Sequence, residues 1–199
     1  MVRLLRPLKR DKRGATLPEF AIILPTFMLL LFGIFDIGQA IYAQSVLQGA
    51  MQDAGRDAGL ESGLNQMSTI DQYVRDQTRP VVFANPTYSL TRSNYKTFSD
   101  VDRPEDYTDS NNNGTYDSTE CFWDENSTGE WENDVARDGV GAANDVSVYT
   151  ATIEYERVFP LWTLIGLSDK SSISAKTTFR NQPFGPQAAR PKKQICPKK

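Results

Sequence analysis

The sequence predicts an α+β fold: a long N-terminal helix, apolar in its first half and amphipathic in its second, packed on a small antiparallel sheet with an acidic insertion. Three observations predict it. Apolar residues crowd between Ala15 and Ile41. An apolar stripe with steps near three and four (Ile37, Ala40, Leu47, Met51, Ala54, Ala58) continues the helical pattern. Two segments rich in β-branched and aromatic residues, 146–158 and 172–181, read as strands.

The first element is the apolar run. Between Gly14 and Asp36 the only charged side chain is Glu19. About 20 residues at roughly 1.5 Å each cross the hydrocarbon core of a bilayer, and the run meets that length. Six of the 22 basic residues precede it, within residues 1–13, and removing that head moves the net charge from -3 to -8. Cations before the run and none just after it predict a cytoplasmic N-terminus and an extracytoplasmic bulk. A secretory signal peptide fits less well. Its apolar core is shorter, and Ile41-Tyr42-Ala43 lacks the first small residue of a cleavage site. A buried helix of a soluble protein fits poorly with the cations upstream. The basic head is local, and no aromatic-interleaved basic groove follows, so nucleic acid is not an expected partner.

Glu19 has two readings. A carboxylate at the edge of a membrane segment is costly without a partner. A cut after Gly14 would give Ala15 a new α-amino group one helical turn from Glu19. Alternatively, Glu19 is an acid in a first turn, where the helix dipole favours it and Pro18 is tolerated.

The stripe carries the helix to about Gly59 or Gly63, where glycine supplies a stop. It packs on the chain's own domain for most of its length or serves as an assembly rod. Gly55 and Gly59 form a Gly-x-x-x-Gly, but outside the apolar run its weight as an association motif is low. A short second helix is expected over 67–77, capped by Ser68 or Thr69. Strands are expected over 81–83 and 87–97.

Residues 109–120 match the D-x-[DN]-x-[DN]-G-x5-E loop pattern at every constrained position. Calcium takes about six to eight oxygens. Asp109, Asn111 and Asn113 can converge, Gly114 permits the turn, Thr115 offers a carbonyl, Asp117 an oxygen, and Glu120 a bidentate carboxylate. A structural calcium in this calcium-loop-like insertion would tie down a loop with few apolar residues of its own. The bland reading is a solvated loop of turn-forming residues. A second copy, Asp124-x-Asn126-x-Thr128-Gly129, lacks the final glutamate. It completes the same ion site, forms a separate one, or binds nothing.

The last segments read as two strands joined by Phe159 to Gly166, an antiparallel pair on the long helix. Ile173, Ala175, Thr177 and Phe179 share one face. Trp162 is most simply core; an apolar patch near the membrane is the functional alternative. Beyond Pro183 a basic, proline-rich stretch reads as a flexible tail that could touch anionic lipid or acidic subunits. Cys121 and Cys196 are a candidate disulfide, which an oxidising compartment permits. With no histidine in the chain, His-based triads and His-ligated zinc are excluded. The acids lie in a turn-rich loop, so no acid–base pair assembles and an enzyme is not expected.

Gly14 followed by Ala-Thr-Leu-Pro-Glu-Phe resembles the prepilin-peptidase site of type IV pilins and pseudopilins: glycine, the cut, and glutamate as the fifth mature residue. The wider block Arg13 to Ala21, the Leu24-Pro25 pair, Gly33 to Ala40 and Tyr42 resemble the TadE-like family, minor pseudopilins of the tight-adherence (Tad/Flp) pilus. The likeness covers roughly residues 10–60. Pro18 departs from the aliphatic residue usual in type IV pilins. The resemblance implies a leader of 1–14, a transmembrane helix over 15–36, an amphipathic continuation over 37–63, an extracytoplasmic domain over 64–182 and the tail over 183–199. It implies prepilin peptidase, other pilins or pseudopilins, the assembly machinery and membrane lipid as partners. It also implies a single-pass location in the bacterial inner membrane and a role in pilus biogenesis and adherence. The alternative is a membrane-anchored calcium-binding or adhesive domain that enters no pilus.

Overall fold

The computed structural model describes residues 16–60, 66–159, 162, 163, 166, 168–182 and 185–197. Helix α1 spans Thr16–Ala58 and α2 spans Met67–Thr78. The strands are β1 (Thr87–Tyr95), β2 (Phe122–Asp124), β3 (Arg137–Asp138), β4 (Val146–Glu156), β5 (Lys170–Arg180) and β6 (Lys193–Ile195). The antiparallel main sheet runs β3-β1-β4-β5, and β2 and β6 form a separate two-stranded ribbon. The fold is α+β, with a long helix on a small antiparallel sheet.

α1 has 43 residues, about 65 Å at 1.5 Å each. Its two halves differ in surroundings. From Leu17 to Phe35 most side chains are exposed, among them Phe20, Ile22, Ile23, Leu30 and Ile34. From Ala43 onward Leu47, Ala50, Met51, Ala54 and Ala58 are buried against β5, β4 and α2. Complete burial of residues such as Leu47 and Met51 contributes about 1.5–3 kcal/mol each. The stripe therefore packs on the chain's own domain. It begins later than the sequence pattern placed it, because Ile37 is exposed and its neighbour Asp36 turns inward.

The Gly-x-x-x-Gly belongs to this packing. A Cβ on Gly55 would stand 2.6 Å from Thr177 Oγ1, and one on Gly59 would stand 3.5 Å from the Arg180 carbonyl oxygen. The glycines let the helix lie close to β5. That strand alternates as read: Ile173 and Ala175 are buried, Thr177 and Phe179 half-buried, and their neighbours exposed.

Helix α2 presents Ile70, Val74 and Thr78 to the core. Its N-cap is Gln66 with no side-chain bond, not Ser68 or Thr69, which fall inside the first turn. Met67 packs on the core, and that tertiary contact starts the helix earlier than capping chemistry would. Residues 81–83 form turns and no strand; Val82 is instead a buried plug.

The N-terminal half of β4 is buried on both faces. Its second face is covered by Val135, Val101 and Ala136 from the acidic insertion, which with Tyr95, Val146 and Val148 make a second small core. The insertion also has an aromatic centre of its own, contrary to the sequence reading. Tyr116 stacks on Trp131 at 4.6 Å, with Tyr107 and Phe122 edge-on. The segment read as a flexible tail is fastened in its described residues. β6 pairs with β2, Cys196 is bonded to Cys121, and Arg190 pairs with the buried Asp145 at 2.8 Å.

Candidate assembly helix and acidic loops

Glu19 lies in the first turn of α1 with its side chain exposed, where the helix dipole favours a carboxylate. Gly14 and Ala15 lie outside the described residues, and so does any contact between Glu19 and an Ala15 amine. Pro25 inside the helix removes one backbone bond. Among the described residues, α1 is the one helix long and apolar enough to cross a membrane.

The boundary between the exposed and docked halves is a polar latch. Asp36 is buried on the docked face. Its carboxylate accepts from an Arg157 guanidinium N–H and, at 2.8 Å, from Trp162 Nε1. The Arg157 guanidinium also lies 5.3 Å from the centre of the Trp162 ring. Phe159 stacks on Phe32 at 4.4 Å and meets Phe35 edge-on at 5.8 Å. Trp162 is thus half-buried against α1 and is not core. Sequence reading missed the pairing of Asp36 with Arg157. The available signal was position: Asp36 stands two turns before Ala43, on the face of the buried stripe.

The first acidic loop is wound as its pattern requires. Asp109 accepts from the backbone N–H groups of Asn113 (3.1 Å) and Gly114 (2.9 Å). Glu120, buried, accepts from those of Ser110 (2.7 Å) and Asp117 (3.1 Å). Asn111 and Asn113 donate their Nδ2 groups to Asp117 Oδ2, at 2.6 and 2.8 Å. The Thr115 N–H and hydroxyl both turn to Asn113 Oδ1. Asn112 and Gly114 adopt positive φ, at 57° and 76°.

The second copy repeats this winding. Asp124 accepts from the N–H groups of Ser127 (2.5 Å) and Gly129 (3.0 Å). Ser127 and Gly129 take positive φ at 73° and 83°, in register with Asn112 and Gly114. The missing final glutamate is replaced from upstream. Glu105, almost fully buried, accepts from Glu125 N–H (2.8 Å) and Glu132 N–H (3.3 Å), the positions that Ser110 and Asp117 hold in the first loop. Burial holds the Glu105 carboxyl above its ordinary range, aided by the nearby Asp124 charge and opposed by backbone N–H bonds. No contiguous motif could reveal Glu105, because it reaches the loop through space.

Asp109, Asn111, Asn113, Asp117 and Glu120 carry the carboxylate and amide groups whose oxygens calcium takes. The donor types of the first loop fit that ion. In the conformation described, the two asparagine amides face Asp117 with nitrogen. No group of three or more His, Cys, Asp or Glu side chains forms a metal cage among the described residues. Cys121 borders the first loop, and its bond to Cys196 holds β6 beside β2 between the two loops.

Residues 14–56 match a family model described as TadE-like protein. No curated protein and no solved structure matches the chain. The match covers the apolar run, the Asp36 turn and nearly all of the docked stripe, and stops before the sheet and the acidic loops. Over that helix the chain is similar to TadE-like proteins.

Proposed function

We propose that the chain is a minor pseudopilin of a Tad-type pilus assembly system, cut by prepilin peptidase between Gly14 and Ala15. Its N-terminus faces the cytoplasm and its domain lies outside the inner membrane. The observation that carries this reading is the division of α1. The family-matched helix buries one stripe on its own domain and leaves the Leu17–Phe35 half to contact lipid or other subunits. In the mature protein Glu19 would pair with an N-terminal amine, its own or a neighbour's, and set the register between apolar helices. Its exposed place in the first turn is compatible with that role. Partners are then prepilin peptidase, other pilins or pseudopilins, and the assembly machinery, with a contribution to adherence.

Mass spectrometry of the mature chain tests the cut: Ala15 as the first residue supports it, and an intact Met1 overturns it. Crosslinking to other pilins should be lost on Glu19→Ala while membrane insertion survives. Unchanged crosslinking removes the pairing.

The winding of the first loop favours an added feature, a structural calcium held by Asp109, Asn111, Asn113, Asp117 and Glu120 with the Thr115 carbonyl. The amides of Asn111 and Asn113 would turn their oxygens inward. Calcium should raise the melting temperature of the full chain over that in chelator, and Asp109→Ala should abolish the difference. Equal melting in both conditions rejects the ion. If calcium binds but crosslinking to pilins never occurs, the membrane-anchored calcium-binding or adhesive domain is the better description.

A further inference from the structure

Arg157, Phe159 and Trp162, in the segment joining β4 to β5, dock onto α1 at the level where the apolar run ends. We propose that this segment is a second membrane contact: Val158, Phe159 and Trp162, with Phe83 beside them, sit in the outer boundary between lipid headgroups and acyl chains. The proposal rests on α1 being a membrane span.

Depth carries the argument. From Leu17 to Phe35 the helix covers about 28 Å, close to the full hydrocarbon thickness. Phe32 therefore lies about one turn inside the outer edge. Phe159 stacks on Phe32 at 4.4 Å and so shares its depth. Trp162 reaches Asp36 at 2.8 Å and lies at the boundary itself, where tryptophan's apolar body and single N–H donor are favoured. Val158 and Phe83 are 44% and 43% exposed, and Ile34, Phe35 and Ile37 are exposed on the helix at the same height.

Charge is managed to match. From Val158 to Leu167 the sequence has no ionisable residue. Asp36 and Arg157, the charges nearest the boundary, neutralise one another, with side chains 9% and 21% exposed. In sequence the next charged residues are Glu156 before the stretch and Asp169 and Lys170 after it. A water-facing loop would have no need to pair its arginine in this way or to leave Val158 and Phe83 uncovered. Lipid covers both, and the domain is then held at two points, which fixes its tilt on the membrane.

The test uses the full wild-type chain in phosphatidylethanolamine/phosphatidylglycerol vesicles containing a lipid with a photoreactive diazirine high on its acyl chain. After illumination, trypsin releases Val158–Lys170 and Ser171–Lys176 as separate peptides, and Gly14–Arg56 reports the helix. We expect lipid adducts on Gly14–Arg56 and Val158–Lys170, the latter several-fold above Ser171–Lys176. Adducts on the helix peptide with only background on Val158–Lys170 overturn the proposal and leave the span intact. Background on both removes the span and the proposal with it. A Val158→Asp, Phe83→Asp chain that keeps its circular dichroism should lose most Val158–Lys170 labelling and keep that of the helix; undiminished labelling also counts against the proposal.

Discussion

Replacing Gly55 by alanine should destabilise the protein, although alanine is the better helix former. An added Cβ meets three atoms of Thr177: Oγ1 at 2.6 Å, Cγ2 at 2.8 Å and Cβ at 3.3 Å. Carbon pairs prefer about 3.5–4.0 Å. Threonine is stiff at χ1 and half-buried here, so it cannot easily swing aside. The helix must lift from β5, and overpacking of this kind costs about 1–3 kcal/mol. The gain in helix propensity is about 1 kcal/mol, so the net expectation is a loss of up to about 2 kcal/mol. Gly49 is the control, on the same helix with nothing within 4 Å of its added Cβ. Gly49→Ala should stabilise by up to about 1 kcal/mol. Thr177→Ala removes Oγ1 and Cγ2, so in that background Gly55→Ala should become neutral or stabilising. The coupling between the two sites should then be about 1–3 kcal/mol. Equilibrium unfolding by denaturant in detergent micelles, read by near-ultraviolet circular dichroism, measures the wild type and all four variants. Equal stabilisation at Gly49 and Gly55, with no coupling to Thr177, would refute the close approach of α1 to β5.

Asp36→Ala leaves the Arg157 guanidinium partly buried without its carboxylate, and should cost about 3 kcal/mol. Asp36→Ala with Arg157→Met should recover part of that loss, as read by thermal melting. The raised pKa of Glu105 has a signed consequence. Folding favours the protonated form, so its contribution is fully present below the ordinary 4.5 and is lost as pH rises through the folded value. Glu105→Gln should flatten that decline, and the difference between the two stability–pH curves isolates it; identical slopes would sink the idea. Reduction of Cys121–Cys196 opens a link between residues 75 apart, worth about 2–4 kcal/mol. Hydrogen exchange should then accelerate at β6 but not at β4, because Arg190 and Gln187 still bind Asp145. Acceleration spread through the sheet would contradict a local clasp.

Much of the architecture was legible in the sequence because local patterns recorded it. The apolar run, the stripe from Leu47 to Ala58 and the alternation of β5 each follow from one element burying one face. The winding of the first acidic loop was legible for a related reason, since the side chains that accept its backbone N–H groups lie within one short segment and its turn takes glycine at a positive φ. What stayed hidden joined residues far apart. Ile37 looked like the natural continuation of the stripe, yet Asp36 takes the inward position because Arg157 and Trp162 wait there. The Gly55–Gly59 spacing could not say which surface approaches it until β5 was in place. Glu105 completes the second loop from outside its motif. The Cys121–Cys196 bond was a candidate from the sequence, but the second fastening of the tail, Arg190 on Asp145, needed the fold.

By itself the sequence determined the pattern of the N-terminal part: an apolar helix behind a basic head, a glutamate in its first turn, and a likeness to TadE-like proteins. Those features are local, because run length and helical periodicity act on neighbouring residues. The tertiary structure decided where the free helix ends and the docked helix begins, what the glycines touch, and how the acidic loops are closed. Those outcomes depend on charges and side-chain volumes meeting across the fold, and a one-dimensional pattern does not encode such distances.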